Sequence, residues 1–208
     1  MTSKKPTAGI ILAAGLSTRF GRPKQLMALN GKPLIEWVVD ACLNSRLDRI
    51  VVVLGENASQ IASGLSLKYN DQRITTIINP QFKEGMSHSL RTGLAEVMKD
   101  FPSVIFLLGD QPLVSSLLID QLLANFRKSE KDICIPVHMG RRGNPTLFSS
   151  KFYKQLLNVS GDVGAREIIR AHPEAVLSVK VKDPLPFFDI DTEKDLEALI
   201  AILKNRNL

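Results

Sequence analysis

Runs of apolar residues recur along this chain at the length of buried strands. Four of them lie in the first half, at Gly9–Ala13, Arg49–Leu54, Ile74–Ile78 and Val104–Leu108. The runs are continuous rather than alternating, which is typical of strands covered on both faces. Segments of helical character separate them, including Leu34–Leu43, Ser87–Met98 and Leu117–Phe126. This alternation predicts an α/β fold with a mostly parallel central sheet and helices on both faces.

The second half of the chain predicts further strands and a final helix. Strand-like runs occur at Ile133–Val137, Thr146–Phe148, Ala175–Val181 and Phe187–Ile190, and we expect some of them to be antiparallel. Thr192 and Asp195 have the spacing of a capping box, which predicts a last helix that continues to about Leu203. No internal repeat, low-complexity tract or linker-like stretch is present, so we expect one domain over residues 1–208.

The charge balance points to anionic ligands. Lys and Arg number 27 against 21 Asp and Glu, a net charge of +6 over 208 residues. Aromatic residues make up only 6% of the chain and no long Lys/Arg block occurs, so the sequence shows neither a stacking platform nor a basic arm for nucleic acid. A protein that handles two multiply charged small anions has the same balance, and we expect no nucleic-acid partner.

The sequence also indicates the cellular compartment. No apolar run approaches the roughly 18 residues of a membrane span. Lys4 and Lys5, followed by Ala8–Leu16, imitate a short signal peptide, but cleavage there would remove the first strand. Cys42 and Cys134 have neither metal-binding nor redox spacing. We therefore expect a cytoplasmic protein with no membrane partner and two buried, reduced thiols.

A loop rich in glycine and basic residues follows the first predicted strand. Gly15 and Gly21 allow backbone N–H groups to approach an anion closely, while Arg19 and Lys24 supply full positive charges. The loop lacks the Gly-Lys-Ser/Thr of a Walker A motif and the Gly-x-Gly-x-x-Gly of a dinucleotide fingerprint. It favours a polyphosphate cradle, with an ordinary strand-to-helix connection as the alternative.

Carboxylates follow two later strands of the predicted sheet. Asp110 comes just after Val104–Leu108, and Asp189 and Asp191 flank Ile190, which places both on one face of a strand. Ligands of open α/β sheets bind beyond the carboxyl ends of the strands. Mg²⁺ takes a few carboxylate oxygens together with waters and substrate phosphates. Asp110 and Asp191 are therefore candidate metal ligands; a turn before Pro112 and a helix cap are the respective alternatives.

Two other segments offer polar groups to a ligand. Asn79 follows a strand and leads to a helix whose first turn carries Ser87 and Ser89, where hydroxyls and free N–H groups bind ribose or phosphate. Helix capping by Ser87 is the alternative, and the two roles are compatible. None of His88, His138 and His172 has a partner at metal-binding spacing.

Leu12-Ala-Ala-Gly-Leu-Ser-Thr-Arg-Phe-Gly-Arg-Pro-Lys24 resembles the signature loop of nucleotidyltransferases, which join an NTP to a phosphate-bearing acceptor and release pyrophosphate. The chain is most similar to the molybdenum cofactor cytidylyltransferases. Four further segments carry this resemblance: Gly85-Met-Ser-His-Ser-Leu-Arg-Thr-Gly93, Gly109-Asp-Gln-Pro112, Gly161-Asp-Val-Gly-Ala-Arg166 and Asp189-Ile-Asp-Thr192. Together the matches run from residue 9 to about residue 195.

The resemblance implies a Rossmann-like, Mg²⁺-dependent enzyme that transfers CMP from CTP to a molybdopterin-type acceptor, with a molybdoenzyme as a downstream partner. It implies that Lys24 neutralises the α-phosphate, that Arg19 holds pyrophosphate and that Asp110 and Asp191 bind the metal. The implied nucleotide-binding residues are Leu12, Ala13, Ala14, Gly15, Arg19, Lys24, Asn79, Ser87 and Ser89. The implied acceptor-binding residues are Arg142, Asn144, Asp162 and Arg166.

Two positions bear on the choice of substrates. Ala14 stands where resemblance to the guanylyl branch would favour Gly, and its methyl group narrows the base site against a purine. Asn144 stands where cytidylyl relatives often carry His, which weakens the assignment of the acceptor. The alternatives are a nucleotidyltransferase for GTP or another NTP, one for a sugar or polyol phosphate, and a non-catalytic accessory that binds and delivers the finished cofactor. A dehydrogenase would need the glycine fingerprint that is missing.

Overall fold

Strands and helices alternate along the chain. The computed structural model describes residues 5–15, 20, 23–162 and 164–206. The first half contains β1 (Thr7–Ala13), β2 (Ala28–Leu29), β3 (Lys32–Pro33), α1 (Leu34–Leu43), β4 (Arg49–Leu54), α2 (Ala58–Lys68), β5 (Ile74–Ile78), α3 (Met86–Val97), β6 (Ser103–Leu108) and α4 (Ser116–Lys128). The second half contains β7 (Ile133–His138), β8 (Arg141–Arg142), β9 (Thr146–Ser149), α5 (Tyr153–Leu157), α6 (Arg166–Ala171), β10 (Val176–Lys180) and α7 (Glu193–Asn205).

The main sheet has the strand order β10-β7-β9-β6-β1-β4-β5, and β8 pairs with β7. The strands β6, β1, β4 and β5 are mutually parallel, whereas β9 is antiparallel to both β6 and β7. The predicted mostly parallel sheet with antiparallel strands in the C-terminal half is therefore confirmed. In the register, Leu12 pairs with Leu108 and Ala13 with Leu54, so β6, β1 and β4 end together at one edge.

The continuous apolar runs are explained by cores on both faces of the sheet. Ile10 and Ile11 are adjacent in β1, point to opposite faces and are both fully buried. One face is covered by α1 and α4, and the other by α3 and α5. Helix α3 lies very close to β1, because a Cβ added at Gly93 would be 2.4 Å from the Cγ2 of Ile10.

The predicted strand at Phe187–Ile190 is wrong. Leu185–Phe187 form a 3₁₀ turn, in which the Phe187 N–H donates to the carbonyl of Pro184. Pro184 and Pro186 both lack an N–H for strand pairing. The apolar residues of this segment contribute to a third buried cluster with α7. The capping box of α7 is confirmed: Thr192 Oγ1 accepts from the Asp195 N–H, and the Asp195 carboxylate accepts from the Thr192 N–H.

The buried positions of Cys42 and Cys134 agree with the sequence prediction. Among the described residues, no helix combines the length and the apolar character needed to cross a membrane.

Candidate active site

A cavity of about 340 Å³ opens where β1 and β6 end. It brings together most of the residues predicted to bind nucleotide and metal. Those that line it are Leu12, Ala13, Ala14, Gly15, Lys24, Ser89, Asp110 and Asp191. Arg19 lies outside the described residues. A larger apolar groove of about 760 Å³ runs past Trp37 and Leu117, but none of the predicted site residues lines it.

Lys24 joins the two carboxylates that were predicted to hold a metal. It begins a 3₁₀ turn, Lys24–Leu26, and its Nζ lies 2.6 Å from Asp110 Oδ2 and 3.2 Å from Asp191 Oδ1. Burial by itself would lower the pKa of Lys24, but the charges of Asp110 and Asp191 outweigh it and raise the pKa above its ordinary value. The two carboxylates therefore favour the protonated, positively charged form of Lys24.

The segment that carries Asp191 is fastened directly to the end of β6. The Ile190 N–H donates to the backbone carbonyl of Asp110 at 3.0 Å. This bond places Asp191 beside Asp110 although Asp191 does not follow a strand. The two carboxylates lie together at the sheet edge, as predicted. Asp191 is brought there by a loop, however, and not by the predicted strand.

The carboxylate of Asp110 has one oxygen that Lys24 does not reach. Its Oδ1 is buried and has no hydrogen-bond partner among the described residues. A buried carboxylate oxygen without a donor is costly unless a cation or a ligand donor completes it. In the part of the chain that the structure describes, no group of three or more His, Cys, Asp or Glu side chains is arranged to hold a metal. Two carboxylates and substrate phosphates suit Mg²⁺.

Gln111 lies beside the site without lining the cavity, and the sequence reasoning missed its contact. Its side chain is buried, and its Nε2 donates to Asp189 Oδ1 at 2.7 Å. Desolvation and the nearby charges of Asp110 and Asp191 raise the pKa of Asp189, although this hydrogen bond opposes the rise. Gln111 thus forms a second link between the end of β6 and the segment that carries Asp191. The signal available in the sequence was its position directly after Asp110.

Gln25 was also missed, although it directly follows Lys24. It is buried and lines the cavity, and its Nε2 donates to the carbonyl of Ala13 at 2.9 Å and to that of Gly15 at 3.5 Å. These bonds hold the start of the predicted phosphate loop against the turn that carries Lys24.

The start of α3 differs from the prediction of free N–H groups. Gly85 has φ +101°, a conformation that favours glycine, and leads into the helix. The Met86 N–H donates to Asp162 Oδ1 at 3.0 Å, and the Ser87 N–H donates to the Gly161 carbonyl at 3.1 Å. Both amides are therefore engaged by the loop at 161–162, so the prediction that they are free for a ligand is wrong.

The polar side chains near α3 have different surroundings. Ser89 is buried and faces the cavity, and its Oγ accepts a hydrogen bond from Asn79 Nδ2 at 3.1 Å. Asn79 and Ser87 are buried too, but neither is among the described residues that line the cavity. Asn79 therefore contacts the cavity-lining Ser89 without lining the cavity itself. The contact described for Ser87 is made by its backbone N–H.

The four residues predicted to bind the acceptor do not all lie in one cavity. Asn144 and Arg166 both line a small cavity of about 40 Å³, next to the first one and sharing Leu12, Met86 and Leu108 with it. Asp162 lines the first cavity. Arg142 is exposed on β8, where it pairs with Val137 of β7, and it is not among the described residues that line either cavity.

Comparison with known proteins gives a family match over most of the chain. Residues 9–176 match a family model described as the MobA-like NTP transferase domain, a segment that includes Lys24 and Asp110 and ends before Asp191. Nicotine blue oxidoreductase from Paenarthrobacter nicotinovorans is 29% identical over 199 residues, covering 92% of this chain and 95% of that protein. A probable molybdenum cofactor guanylyltransferase from Natranaerobius thermophilus is 30% identical over 133 residues, covering 64% of this chain and 61% of that protein.

Solved structures share the fold over nearly the whole chain. Rv0371c from Mycobacterium tuberculosis H37Rv is 25% identical, with a TM-score of 0.81 and coverage of 94% of this chain and 98% of that one. A complex of the same protein with manganese is 23% identical, with a TM-score of 0.78 and the same two coverages. The fold of this chain therefore occurs in other proteins.

Proposed function

The chain belongs to the MobA-like NTP transferase family, and on that premise we propose that it transfers CMP from CTP to the phosphate of a molybdopterin-type acceptor and releases pyrophosphate. One observation carries this proposal. Lys24 Nζ is held between Asp110 and Asp191, in a cavity at the carboxyl ends of β1 and β6. A cation, two carboxylates and a glycine-containing loop are the groups needed to hold a metal-bound triphosphate.

The reaction requires positioning and charge stabilisation more than covalent chemistry. A phosphate oxygen of the acceptor attacks the α-phosphorus of the nucleotide, and the bond to the bridging oxygen of the β-phosphate breaks. The attacking oxygen is already anionic, so no strong general base is needed. Lys24 is proposed to bind the α-phosphate as negative charge develops there, and Arg19 to bind the departing pyrophosphate.

The metal would be held by Asp110 and Asp191. The donor set fits an ion that also takes phosphate oxygens, and Asp110 Oδ1 is a buried acceptor that such an ion would complete. When bound, a divalent ion of this kind neutralises phosphate charge as pyrophosphate leaves. Mg²⁺ is our proposal for this ion; the manganese complex of Rv0371c supports a divalent metal in a protein of this fold.

The choice of CTP rests on Ala14. Its side chain is buried, and the residue lines the cavity beside Gly15, so its methyl group reduces the space for a base. The acceptor assignment rests on Arg166, which lines the small adjoining cavity and offers a guanidinium to a phosphate-bearing molecule; Asn144 lines the same cavity with an amide, where cytidylyl relatives often carry His. The relative from Natranaerobius thermophilus supports a molybdenum cofactor as the acceptor, and its name supports GTP as the alternative donor.

The nucleotide preference is tested by measuring pyrophosphate release with CTP, GTP, ATP and UTP, each with molybdenum-bound molybdopterin. We expect CTP to be preferred. Ala14→Gly should relax the preference toward GTP by at most about 200-fold, because a single methyl group contributes about 1–3 kcal/mol to selectivity. A wild-type preference for GTP would contradict the cytidylyl assignment and leave the nucleotidyltransferase assignment in place.

A second candidate activity is oxidoreduction. It is favoured by the match to nicotine blue oxidoreductase, which extends over 92% of this chain and 95% of that protein. Incubation with NADH or NADPH and oxidised dyes, followed by nicotinamide absorbance, tests it. Rapid oxidation of the nicotinamide together with no release of pyrophosphate from any NTP would favour this second activity.

A further inference from the structure

The position of Lys24 has a consequence beyond phosphate binding. Its Nζ lies between two carboxylates from distant parts of the chain, 2.6 Å from Asp110 and 3.2 Å from Asp191. Those are the two carboxylates that the proposed function assigns to a divalent ion, although the Asp110 oxygen it assigns is Oδ1, while Lys24 contacts Oδ2. Since the Lys24 side chain is only 14% exposed, the ammonium is largely withdrawn from water, and these carboxylates stabilise its charge.

A divalent ion and the ammonium group therefore compete for the negative charge of the same two carboxylates. An ion that arrived alone would have to displace Lys24 from these carboxylates, or bind at Asp110 Oδ1 within a few ångströms of its positive charge, and both are unfavourable. An ion that arrived with a nucleotide would bring phosphate oxygens, which replace the carboxylates as partners of Lys24. The flexible four-carbon stem of lysine allows this exchange without movement of the backbone.

We propose that Lys24 is a built-in counter-ion of the Asp110–Asp191 pair, which a metal–nucleotide complex displaces and a free metal ion displaces poorly. The chain then takes the metal–nucleotide complex as its ligand and suppresses binding of the bare ion. The inference rests on the proposed function for the identity of the anion that receives Lys24. Its direct test needs no turnover.

Binding of Mn²⁺ to the full chain can be measured from the electron paramagnetic resonance signal of the free ion, with and without α,β-methylene-CTP. The wild-type protein should bind Mn²⁺ weakly alone and at least about tenfold more tightly with the nucleotide. Lys24→Met keeps the length of the side chain and removes its charge. Without nucleotide, the Lys24→Met protein should bind Mn²⁺ about tenfold more tightly than wild type. A tenfold change is the effect expected when one charge-assisted contact of ordinary strength no longer has to be broken.

Lys83→Met is the matched control for the loss of one positive charge. Lys83 lines the same cavity, but its ammonium lies over the Phe82 ring, 5.9 Å from the centroid. We expect the affinity of Lys83→Met for Mn²⁺ without nucleotide to stay within about twofold of wild type, because Lys83 is exposed and its ammonium packs over Phe82. A gain equal to that of Lys24→Met would show a general charge effect and overturn the proposal.

The double variant Lys24→Met/Asp110→Asn shows where the ion binds. If the gained affinity is lost in the double variant, the ion occupies the carboxylates that Lys24 left. If the double variant keeps the gain, or if folded Lys24→Met binds Mn²⁺ no better than wild type, the proposal is overturned. Thermal melting of each variant confirms that it is folded.

These outcomes are separate from those of the proposed function. Absence of pyrophosphate release with every NTP would contradict the proposed function, whereas the affinity for Mn²⁺ without nucleotide would still decide the role of Lys24. Conversely, an active enzyme whose Lys24→Met variant gains no Mn²⁺ affinity would retain the proposed function and lose this inference.

Discussion

Asp110→Asn is the substitution that separates catalysis from folding most clearly. Asp110 Oδ2 receives Lys24 at 2.6 Å, and its side chain is 21% exposed. Unit charges at this distance attract by about 6 kcal/mol at an effective dielectric constant of about 20, before either group's desolvation is counted. Asn keeps an oxygen that accepts from Lys24, and Asp191 remains nearby. The free energy of unfolding should therefore fall by only about 1–2 kcal/mol.

The effect on turnover should be much larger. The substitution removes one of two carboxylate charges that the proposed function assigns to the metal, and metal ions contribute several kcal/mol of transition-state stabilisation. A loss of about 3–5 kcal/mol corresponds to a fall in turnover of about 10²- to 10⁴-fold. Pyrophosphate release at saturating CTP measures turnover, and urea unfolding measures stability.

Asp120→Asn is the control for loss of a carboxylate elsewhere. Asp120 lies on α4, where it accepts from the Arg46 N–H outside the cavity. The turnover of the Asp120→Asn protein should remain within about twofold of wild type, since substitutions away from the site have small effects. Near-normal turnover of a folded Asp110→Asn protein would refute the role given to Asp110.

Further predictions concern packing and the thiols. Gly93→Ala should lower the free energy of unfolding by about 1–3 kcal/mol, because its Cβ would meet Ile10 Cγ2 at 2.4 Å. In the control Gly64→Ala, the added Cβ has nothing within 4 Å on helix α2, so stability in urea should rise by up to about 1 kcal/mol. Burial raises the pKa of Cys42 and raises that of Cys134 to about 12. Neither thiol should react with Ellman's reagent at pH 8 until the protein unfolds, and rapid native labelling would contradict this.

The central strands could be predicted because each is an apolar run bounded by polar residues. The bounds of β4, β5 and α1 agree with the predictions to the residue. The run at Phe187–Ile190 misled, because its hydrophobicity reflects packing against α7, and Pro184 and Pro186 just before it favour a turn. Apolar character reports burial, and burial alone does not specify a strand.

The meeting of Lys24 with Asp110 and Asp191 could be expected from the positions of loops at the sheet edge. The bond between Gln111 and Asp189 could not, since it joins residues 78 apart through one side-chain amide. The hydrogen bond from the Met86 N–H to Asp162 could not be predicted either, because only the folded chain brings the loop at 161–162 to the start of α3. The catalytic and binding roles given to these residues remain predictions.

The most direct measurement of the central claim is the fate of the α-phosphate. The protein is incubated with CTP labelled with ³²P at the α-position, Mg²⁺ and molybdenum-bound molybdopterin, and the products are separated and weighed by mass spectrometry. We predict that the label moves to the acceptor, that the acceptor gains the mass of CMP minus water, and that one pyrophosphate appears for each product. Consumption of CTP with the label recovered only as free CMP, or no consumption of any NTP, would contradict nucleotidyl transfer by this protein.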